Sequence, residues 1–454
     1  MLYRILLSLL FTSTAFAQPN IIFILTDDMS WTGTSVQIDE QVAASKSDFY
    51  QTPNIEKLAS QAMSFSAAYA PGPMCTPSRA GILTGKTPAE LHMTTPGGGR
   101  AQSYQKLLSA DFVRDLPTTK ITIAEALKTQ GYVTAHLGKW HLGRSNPGDH
   151  GFDVHDGATQ NTSNGTDDNP KDVFGITDRA IDFMEEQAEA GKPFYLQLSH
   201  YAVHTPIESL EISRKKFQAL EPGDRHHSVE YAAMTWDLDT SIGTLLNKID
   251  ELGLTKNTYV VLMSDNGGPG NRRQSQNLPL AGGKGSLYEG GIRVPLMVRG
   301  PGIEAGSFCR ESVTGCDLLP TFCEWAKVPN QEKIEGTSLA PLLAGKDSDF
   351  QRSEKALLFH YPHYGLGPIQ KPQSAIIAGE YKLIRDLESG DLQLFDLKND
   401  LTESTNIAKK NPEKTEQLAT LLDQRLAEVD AQMPTENPDY DPSKEQTRRK
   451  TNRN

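Results

Sequence analysis

The chain has 454 residues, and 45 Lys+Arg against 57 Asp+Glu give a formal net charge of −12 at pH 7. Hydrophobic residues at 37% and charged residues at 22% are typical of a globular protein, which excludes a fibrous repeat and disorder across the whole chain. The acidic total also disfavours bulk nucleic-acid binding, whereas a local basic pocket for an anion is compatible with it.

The N-terminus carries the pattern of a secretory signal peptide. Arg4 precedes an apolar run from Ile5 to Phe11, and residues 15–17, Ala-Phe-Ala, form a small-x-small cleavage site. The apolar run is too short to span a bilayer, and no later stretch reaches the roughly 18 unbroken apolar residues of a membrane helix. We therefore expect residues 1–17 to be removed and the chain to be exported to the periplasm or the extracellular space, without stable membrane insertion. The alternative is a short membrane anchor.

Two continuous apolar runs, Ile21–Leu25 and Thr258–Met263, predict strands buried on both faces, as in a parallel sheet covered by helices. Between them, apolar spacing predicts amphipathic helices over 53–63 and 228–252, and a capping box opens a third helix that stops at Gly131. This alternation predicts an α/β domain over residues 18–350, with a large mixed, mainly parallel sheet sandwiched by helices.

The pattern changes after residue 350. Short strand-like runs over 375–378, 381–384 and 392–397 are separated by glycine-containing turns, and a helical pattern follows over 412–429. We expect a small C-terminal α+β domain over 351–430 with a short antiparallel sheet, followed by a polar tail without a core over 431–454.

Four cysteines are too few for a disulfide scaffold. Cys309, Cys316 and Cys323 are spaced by seven residues and are expected to be buried thiols or to include a single disulfide. Cys75 stands apart, two residues before Pro77, a residue type favoured in the first turn of a helix. A helix N-terminus activates a nucleophile and attracts an anion, although a lone cysteine there is more commonly structural.

Acidic and amide side chains follow both predicted buried strands. Asp27 and Asp28 follow the first strand, and Asp265 and Asn266 follow the second, at the edge where ligand crevices form in open α/β sheets. Their oxygens form a hard donor set that suits Ca²⁺ or Mg²⁺ and not zinc. Taken separately, either pair is equally consistent with a helix cap or a turn.

Residues 75–85, Cys-Thr-Pro-Ser-Arg-Ala-Gly-Ile-Leu-Thr-Gly, resemble the C-x-P-S-R-x-x-x-L-T-G signature of the type I sulfatases, in the alkaline phosphatase superfamily, at every fixed position. In that family a formylglycine-generating or sulfatase-maturing enzyme oxidises the cysteine to formylglycine (3-oxoalanine), whose hydrate is the nucleophile. The resemblance implies that Cys75 does not act as a thiol. It also implies that Asp27, Asp28, Asp265 and Asn266, with the modified Cys75, bind a metal, Ca²⁺ rather than Mg²⁺.

Further motifs extend the resemblance. Residues 138–143, Gly-Lys-Trp-His-Leu-Gly, match a family string, and an extended chain there would turn Lys139 and His141 toward one pocket. His204 and Lys284 match a family histidine and lysine on the leaving-group side. The resemblance implies that Arg79 and the metal ionise the hydrate and that Lys139, Lys284 and the metal neutralise the sulfuryl oxygens. It implies that His204 protonates the leaving group and that His141 helps to expel sulfate.

Four residues are candidates for substrate binding. Arg272 and Arg273 lie between two of these motifs and would hold a second sulfate or a carboxylate, or only provide solubilising charge. His360 and His363 would line the pocket or have a structural role. The export signal, the acidic chain and the lack of an apolar substrate groove favour sulfated carbohydrate over a sulfated steroid or lipid.

We therefore predict an exported, Ca²⁺-dependent sulfatase, a sulfuric ester hydrolase. The first alternative is a phosphodiester or phosphonate monoester hydrolase of the same superfamily. The second is a secreted glycan-binding protein in which Cys75 is never converted. Retention of all the matched polar residues favours an enzyme, because a binding protein would not need them.

Overall fold

The computed structural model describes residues 18–98, 101–269, 277–329, 334–352, 354–365 and 371–444. The predicted signal peptide and the candidates Arg272 and Arg273 lie outside these ranges. The strands, in chain order, are β1 Asn20–Thr26, β2 Met63–Phe65, β3 Ala68–Tyr69, β4 Leu107–Leu108, β5 Val133–Gly138, β6 Val154–His155, β7 Phe194–Ser199, β8 Thr258–Ser264, β9 Leu296–Arg299, β10 Ser307–Cys309, β11 Val313–Thr314, β12 Leu357–Tyr361, β13 Gln373–Ala378, β14 Tyr381–Asp386, β15 Leu392–Asp396 and β16 Thr435–Glu436. The α-helices are α1 Pro53–Ala59, α2 Cys75–Thr84, α3 Pro88–Leu91, α4 Ile123–Lys128, α5 Val173–Ala190, α6 Glu211–Gln218, α7 Val229–Glu251, α8 Glu289–Ile292, α9 Leu318–Trp325, α10 Ala340–Leu343 and α11 Pro412–Glu428.

The main sheet has eight strands in the described residues, in the order β10-β2-β9-β8-β1-β7-β5-β6. The strand β1 lies inside this sheet and pairs in parallel with β7 on one side and β8 on the other. Only β9 runs antiparallel to its neighbours, so the sheet is mixed and mainly parallel. Every residue of β1 is buried, which agrees with its unbroken apolar sequence.

Helices cover both faces of the sheet, which confirms the predicted α/β fold class. Alternate residues of β1 point to opposite faces, so the strand contributes to two separate cores. Ile22 and Ile24 pack in a core with residues of α1, α5 and α7, namely Ile55, Phe183 and Leu245. Ile21, Phe23 and Leu25 pack in the other core with residues of α2, α4 and α9, namely Ile82, Leu127 and Phe322.

The strands β12 to β15 form the predicted small antiparallel sheet. The helix α11 covers one face of it, where Leu418 and Leu422 share a core with Ile376. The other face packs on the main body, where Phe359 shares a core with Tyr69. Within the predicted polar tail, β16 pairs with β4, so the start of this segment is held by backbone hydrogen bonds.

Two local predictions are wrong. The helix predicted over 53–63 ends at Ala59, because Met63 begins β2 and pairs with both β9 and β10. The alternative of a disulfide among Cys309, Cys316 and Cys323 is also wrong, since all three are free, buried thiols. Across the described ranges, no helix is both long enough and apolar enough to cross a lipid bilayer.

A buried ionic network joins the small sheet to the main body. Lys382 in β14 donates to Glu289, the first residue of α8, over 2.9 Å, and its ammonium group lies 2.9 Å from Glu403. The other oxygen of Glu289 accepts from Arg293 over 2.6 Å and from the Tyr69 hydroxyl over 3.1 Å. Because these groups are buried, each charge depends on its partners for stability.

We expect Lys382→Met to lower the free energy of unfolding by about 3 kcal/mol or more, because it leaves two buried carboxylates without their shared cation. Urea titration followed by tryptophan fluorescence measures this change. The control is Lys398→Met, which removes an exposed lysine that pairs with Glu380 and is expected to leave the urea midpoint nearly unchanged. Equal midpoints for the two variants would contradict the network's stabilising role.

Candidate active site

The candidate site lies where the carboxyl ends of β1 and β8 meet the N-terminus of α2. The helix α2 begins at Cys75, and its last residue is followed by Gly85 in the left-handed conformation, with φ of 66°. The Cys75 Sγ atom lies 3.4 Å from Asp27 Oδ1 and 3.9 Å from Asp28 Oδ1. The structure therefore brings the signature cysteine to the acidic residues that follow β1.

Four residues can offer ligand atoms to one metal ion: Asp27, Asp28, Cys75 and Asp265 are buried, with ligand atoms within 4.8 Å of one another. The side-chain nitrogen of Asn266 donates to Asp28 over 2.7 Å, while its buried side-chain oxygen has no hydrogen-bond partner in the part of the chain that the structure describes. Buried carbonyl oxygens are normally satisfied, so a cation beside this one would account for it. The donor set, rich in hard oxygens, fits Ca²⁺ or Mg²⁺.

Three cationic side chains pair with the three carboxylates. Lys139 Nζ lies 2.6 Å from Asp27 Oδ2, and Lys284 Nζ lies 2.6 Å from Asp28 Oδ1. The guanidinium of Arg79 donates to Asp265 over 2.9 Å. Lys284 Nζ also lies 3.2 Å from Cys75 Sγ, so this lysine reaches the sulfur as well as the carboxylate.

Burial and these charges set the protonation states. Burial tends to raise the pKa of Asp27, but the positive charge of Lys139 and its neighbours holds that pKa well below the usual range. Burial and then the negative charge of Asp27 raise the pKa of Asp265 to about 6. Burial, followed by the nearby carboxylates, raises the pKa of the Cys75 thiol. An unmodified Cys75 is therefore protonated at neutral pH, and a protonated thiol is a poor nucleophile.

The backbone that positions His141 has a conformation that differs from the prediction. The extended chain predicted over 138–143 is wrong, because Gly138 and His141 have positive φ angles of 95° and 57°. The turn is held by Thr76, whose hydroxyl donates to the His141 carbonyl over 2.7 Å, and by Thr159, whose carbonyl accepts from the His141 amide over 2.9 Å. Burial and then the charge of Lys139 lower the pKa of His141 to about 2, so its imidazole is neutral.

His204 lies beside Asp28 at the edge of the acidic cluster. Its Nε2 atom is 3.8 Å from Asp28 Oδ2, and its Nδ1 atom is 2.5 Å from the carbonyl oxygen of Thr205. Burial lowers the pKa of His204, although the charges of Asp27 and Asp28 oppose this shift. The carbonyl of Thr205 fixes a proton on Nδ1 and leaves Nε2 to exchange a proton with a ligand.

Comparison with known families assigns this arrangement. The sulfatase family model matches residues 19–328, a range that includes Cys75, both acidic strand ends and Lys284. The chain belongs to the sulfatase family. It is therefore a sulfuric ester hydrolase, and members of this family generally use formylglycine and a metal ion.

Relatives match the sulfatase over most of its length. A second family model, N-sulphoglucosamine sulphohydrolase, C-terminal, matches residues 283–432. The sulfatase is 30% identical to arylsulfatase A of Homo sapiens, over 76% of this chain and 71% of that protein. It is 29% identical to an ulvan-active sulfatase of Formosa agariphila, over 91% of this chain and 82% of that protein. The crystal structure of Ps i-CgsB in complex with k-i-k-neocarrahexaose has a TM-score of 0.75 and 26% identity, covering 90% of this chain and 93% of that one.

Lys171 is a buried cation that no sequence motif of the sulfatase identifies. Its side chain is 1% exposed, and among the described residues it forms no hydrogen bond or ion pair. Burial lowers its pKa, while the negative charges of Glu208 and Asp27 oppose that shift. Its ammonium group therefore interacts electrostatically with the acidic cluster. In the sequence it is one lysine in a polar loop, and only the folding of that loop onto the site distinguishes it.

The two histidines predicted to bind substrate are held by other groups. His360 Nδ1 lies 2.7 Å from the Ser374 hydroxyl, and its Nε2 lies 2.9 Å from the Gln432 carbonyl. His363 Nε2 lies 2.7 Å from the Thr94 hydroxyl. None of these partners belongs to the acidic cluster, so a contact of either histidine with substrate stays a prediction.

We expect Ca²⁺ to raise the thermal midpoint of protein freed of metal with EDTA, by a stabilisation of about 2.7 kcal/mol at 100 times the dissociation constant. Asp265→Asn should reduce this calcium-induced shift, because it removes a charged ligand. The control is Asp48→Asn, the same change at a carboxylate that binds His226 outside the cluster, and it should keep the shift. Scanning calorimetry measures all three proteins, and equal shifts would refute calcium binding at the cluster.

Proposed function

We propose that the sulfatase is exported and removes sulfate from sulfated carbohydrates, using a formylglycine made from Cys75 and a Ca²⁺ ion. The observation that carries this proposal is the position of Cys75 at the start of α2, with Asp27 and Lys284 in contact with its sulfur. A buried position between a carboxylate and an ammonium group is unfavourable for a thiol that only packs in the core. It is a suitable place for a nucleophile that must be held against an anion.

Two groups would complete the site. The proposed ligands of Ca²⁺ are Asp27, Asp28, Asp265, Asn266 and the modified Cys75, and the partnerless oxygen of Asn266 supports this choice. When bound, the metal supplies positive charge beside the ester, and the hydrated formylglycine supplies a hydroxyl nucleophile. We propose that a maturing enzyme makes the formylglycine.

The cations of the chain would bind the sulfuryl group. Lys139 and Lys284 each pair with one carboxylate, so their ammonium groups are already fixed before an ester enters. Fixed charges need no reorganisation as negative charge develops in the transition state. Arg79 is anchored twice, by Asp265 and by the Lys139 carbonyl over 2.6 Å, and would hold the nucleophile in place from the next turn of α2.

The two histidines would handle protons at opposite sides of the ester. His204 in its imidazolium form, which the charges of Asp27 and Asp28 favour, would deliver the proton on Nε2 to the departing sugar oxygen, while Nδ1 keeps its proton on the Thr205 carbonyl. Among the described residues, the buried Nδ1 of His141 has no hydrogen-bond partner, and the ring is neutral, so it can accept a hydrogen bond. We propose that it accepts a hydrogen bond from the second hydroxyl of the hydrated formylglycine and so helps to expel sulfate.

The comparisons support a sulfated carbohydrate as substrate. The relatives include an ulvan-active sulfatase and a structure with a bound neocarrahexaose, and each matches this chain over about nine-tenths of its length. Polar side chains beside His141, among them Thr76 and Gln160, can form hydrogen bonds with a saccharide. The predicted signal peptide, over residues 1–17, supports export to a compartment where such polymers occur.

The direct test is release of inorganic sulfate from ulvan, carrageenan, fucan and glycosaminoglycan oligosaccharides, with and without EDTA. We expect Cys75→Ala to lower the rate by about a thousandfold or more, since the nucleophile is absent. Peptide mass spectrometry reports how much of the wild type carries formylglycine. Release by Cys75→Ala equal to wild type would exclude the mechanism. Converted protein that cleaves phosphonate or phosphodiester but no sulfate ester would exclude the proposed substrate.

The acid role of His204 has its own test. We expect His204→Ala to lower kcat/KM on a sugar sulfate by about 100-fold or more, but on 4-nitrophenyl sulfate by only about tenfold, because nitrophenolate leaves without a proton. The control is His227→Ala, an exposed histidine whose loss should affect neither substrate. Equal losses on the two substrates would contradict proton donation by His204.

A further inference from the structure

A cavity of about 670 Å³ opens beside His141, and two arginines line it. Its wall includes Thr76, which holds the His141 turn, together with Arg114, Arg144 and Gln160. We propose that Arg114 and Arg144 bind a second anionic group of the substrate, a sulfate or a carboxylate, next to the ester that is cleaved. This inference rests on the proposed function and specifies its substrate as a saccharide with at least two anionic groups.

Both arginines are exposed, and neither guanidinium forms an ion pair or a side-chain hydrogen bond with any residue in the described ranges. Other arginines of the chain differ, since Arg352 and Arg425 are paired with carboxylates. Asp115 also lines the cavity, and its Oδ1 accepts from the backbone amide of Arg144. In a chain with a net charge of −12, two unpaired guanidinium groups at the mouth of an anion site favour an anionic ligand.

The backbone holds the two arginines close together. The amide of Leu116 donates to the carbonyl of Leu142 over 3.2 Å, which joins the segment of Arg114 to that of Arg144. Gly143, with φ of 86°, permits this approach, because a Cβ atom there would lie 2.7 Å from the Arg114 carbonyl. The two arginines therefore belong to adjacent segments that are joined by a backbone hydrogen bond.

The same segments are joined to the catalytic side of the site. Arg144 lies three residues after His141, so its position depends on the turn that positions this histidine. Gln160 donates to the Gly143 carbonyl over 2.7 Å and so closes the cavity on a further side. An anion bound here would therefore be held in a fixed relation to the ester.

The chemistry of arginine suits this task. The guanidinium of Arg114 lies 4.9 Å from the centre of the Phe112 ring, a contact that restrains the group. A guanidinium stacked on a ring keeps its N–H edge available for two parallel hydrogen bonds to sulfate or carboxylate. A bidentate site of this kind discriminates between substrates with and without the second anion.

The test compares the double variant Arg114→Ala/Arg144→Ala with wild type on four substrates. These are 4-nitrophenyl sulfate, which has no second anion, an ι-carrageenan tetrasaccharide, an ulvan oligosaccharide and the same ulvan oligosaccharide after carboxyl reduction. We expect kcat/KM to fall by about 10- to 100-fold on a cleaved oligosaccharide with a second anion, and by less than about twofold on 4-nitrophenyl sulfate. Loss on ulvan that disappears after carboxyl reduction identifies the anion as a carboxylate, and loss that persists identifies a sulfate.

The controls separate the possible failures. Arg214→Ala removes a partly exposed arginine that pairs with Glu211, and it should leave all rates unchanged. Thermal midpoints equal to wild type show that the double variant is folded. A similar loss on all substrates, or no loss on the oligosaccharides, would overturn the second-anion site alone. A wild type that cleaves only 4-nitrophenyl sulfate would overturn the second-anion site together with the carbohydrate substrate of the proposed function. A wild type that releases sulfate from none of the substrates overturns the proposed function as well.

Discussion

The site depends on the pairing of three buried carboxylates with three buried or nearly buried cations. Parallel pairing of β1 with β8 sets Thr26 opposite Ser264, so Asp27 and Asp265 emerge side by side. Carboxylates this close and this buried repel one another and would become protonated without compensation. Lys139 and Arg79, with Lys284, supply that compensation from three separate parts of the chain.

This pairing explains why distant parts of the chain must be fixed precisely with respect to one another. Lys284 precedes α8 by five residues, and α8 begins at Glu289, which is held by Lys382 from the small antiparallel sheet. The small sheet thus contributes to the site through the position of a loop, although the residues of its ionic network do not belong to the acidic cluster. The stability of the C-terminal part and the geometry of the active site are therefore linked.

Much of the fold and of the cluster could be predicted from the sequence, because the relevant signals are local. An unbroken apolar run followed by acidic residues identifies both a buried strand and the edge at which its ligands emerge, as with Asp27 and Asp28. The turn at His141 could not be predicted, because its positive φ angle depends on contacts with Thr76 and Thr159. Lys171 and the pair Arg114 and Arg144 were missed for a similar reason. Only tertiary packing distinguishes them from solvated surface charges.

Every residue of α2 is buried, from Cys75 to Thr84. On the proposed function, the enzyme that oxidises Cys75 must contact this segment closely, yet in the folded protein the segment is buried. The oxidation would therefore have to precede folding, while the segment is still accessible during synthesis or translocation. Folding and modification would then compete in time, so a chain that folds too quickly would become stable without ever becoming active.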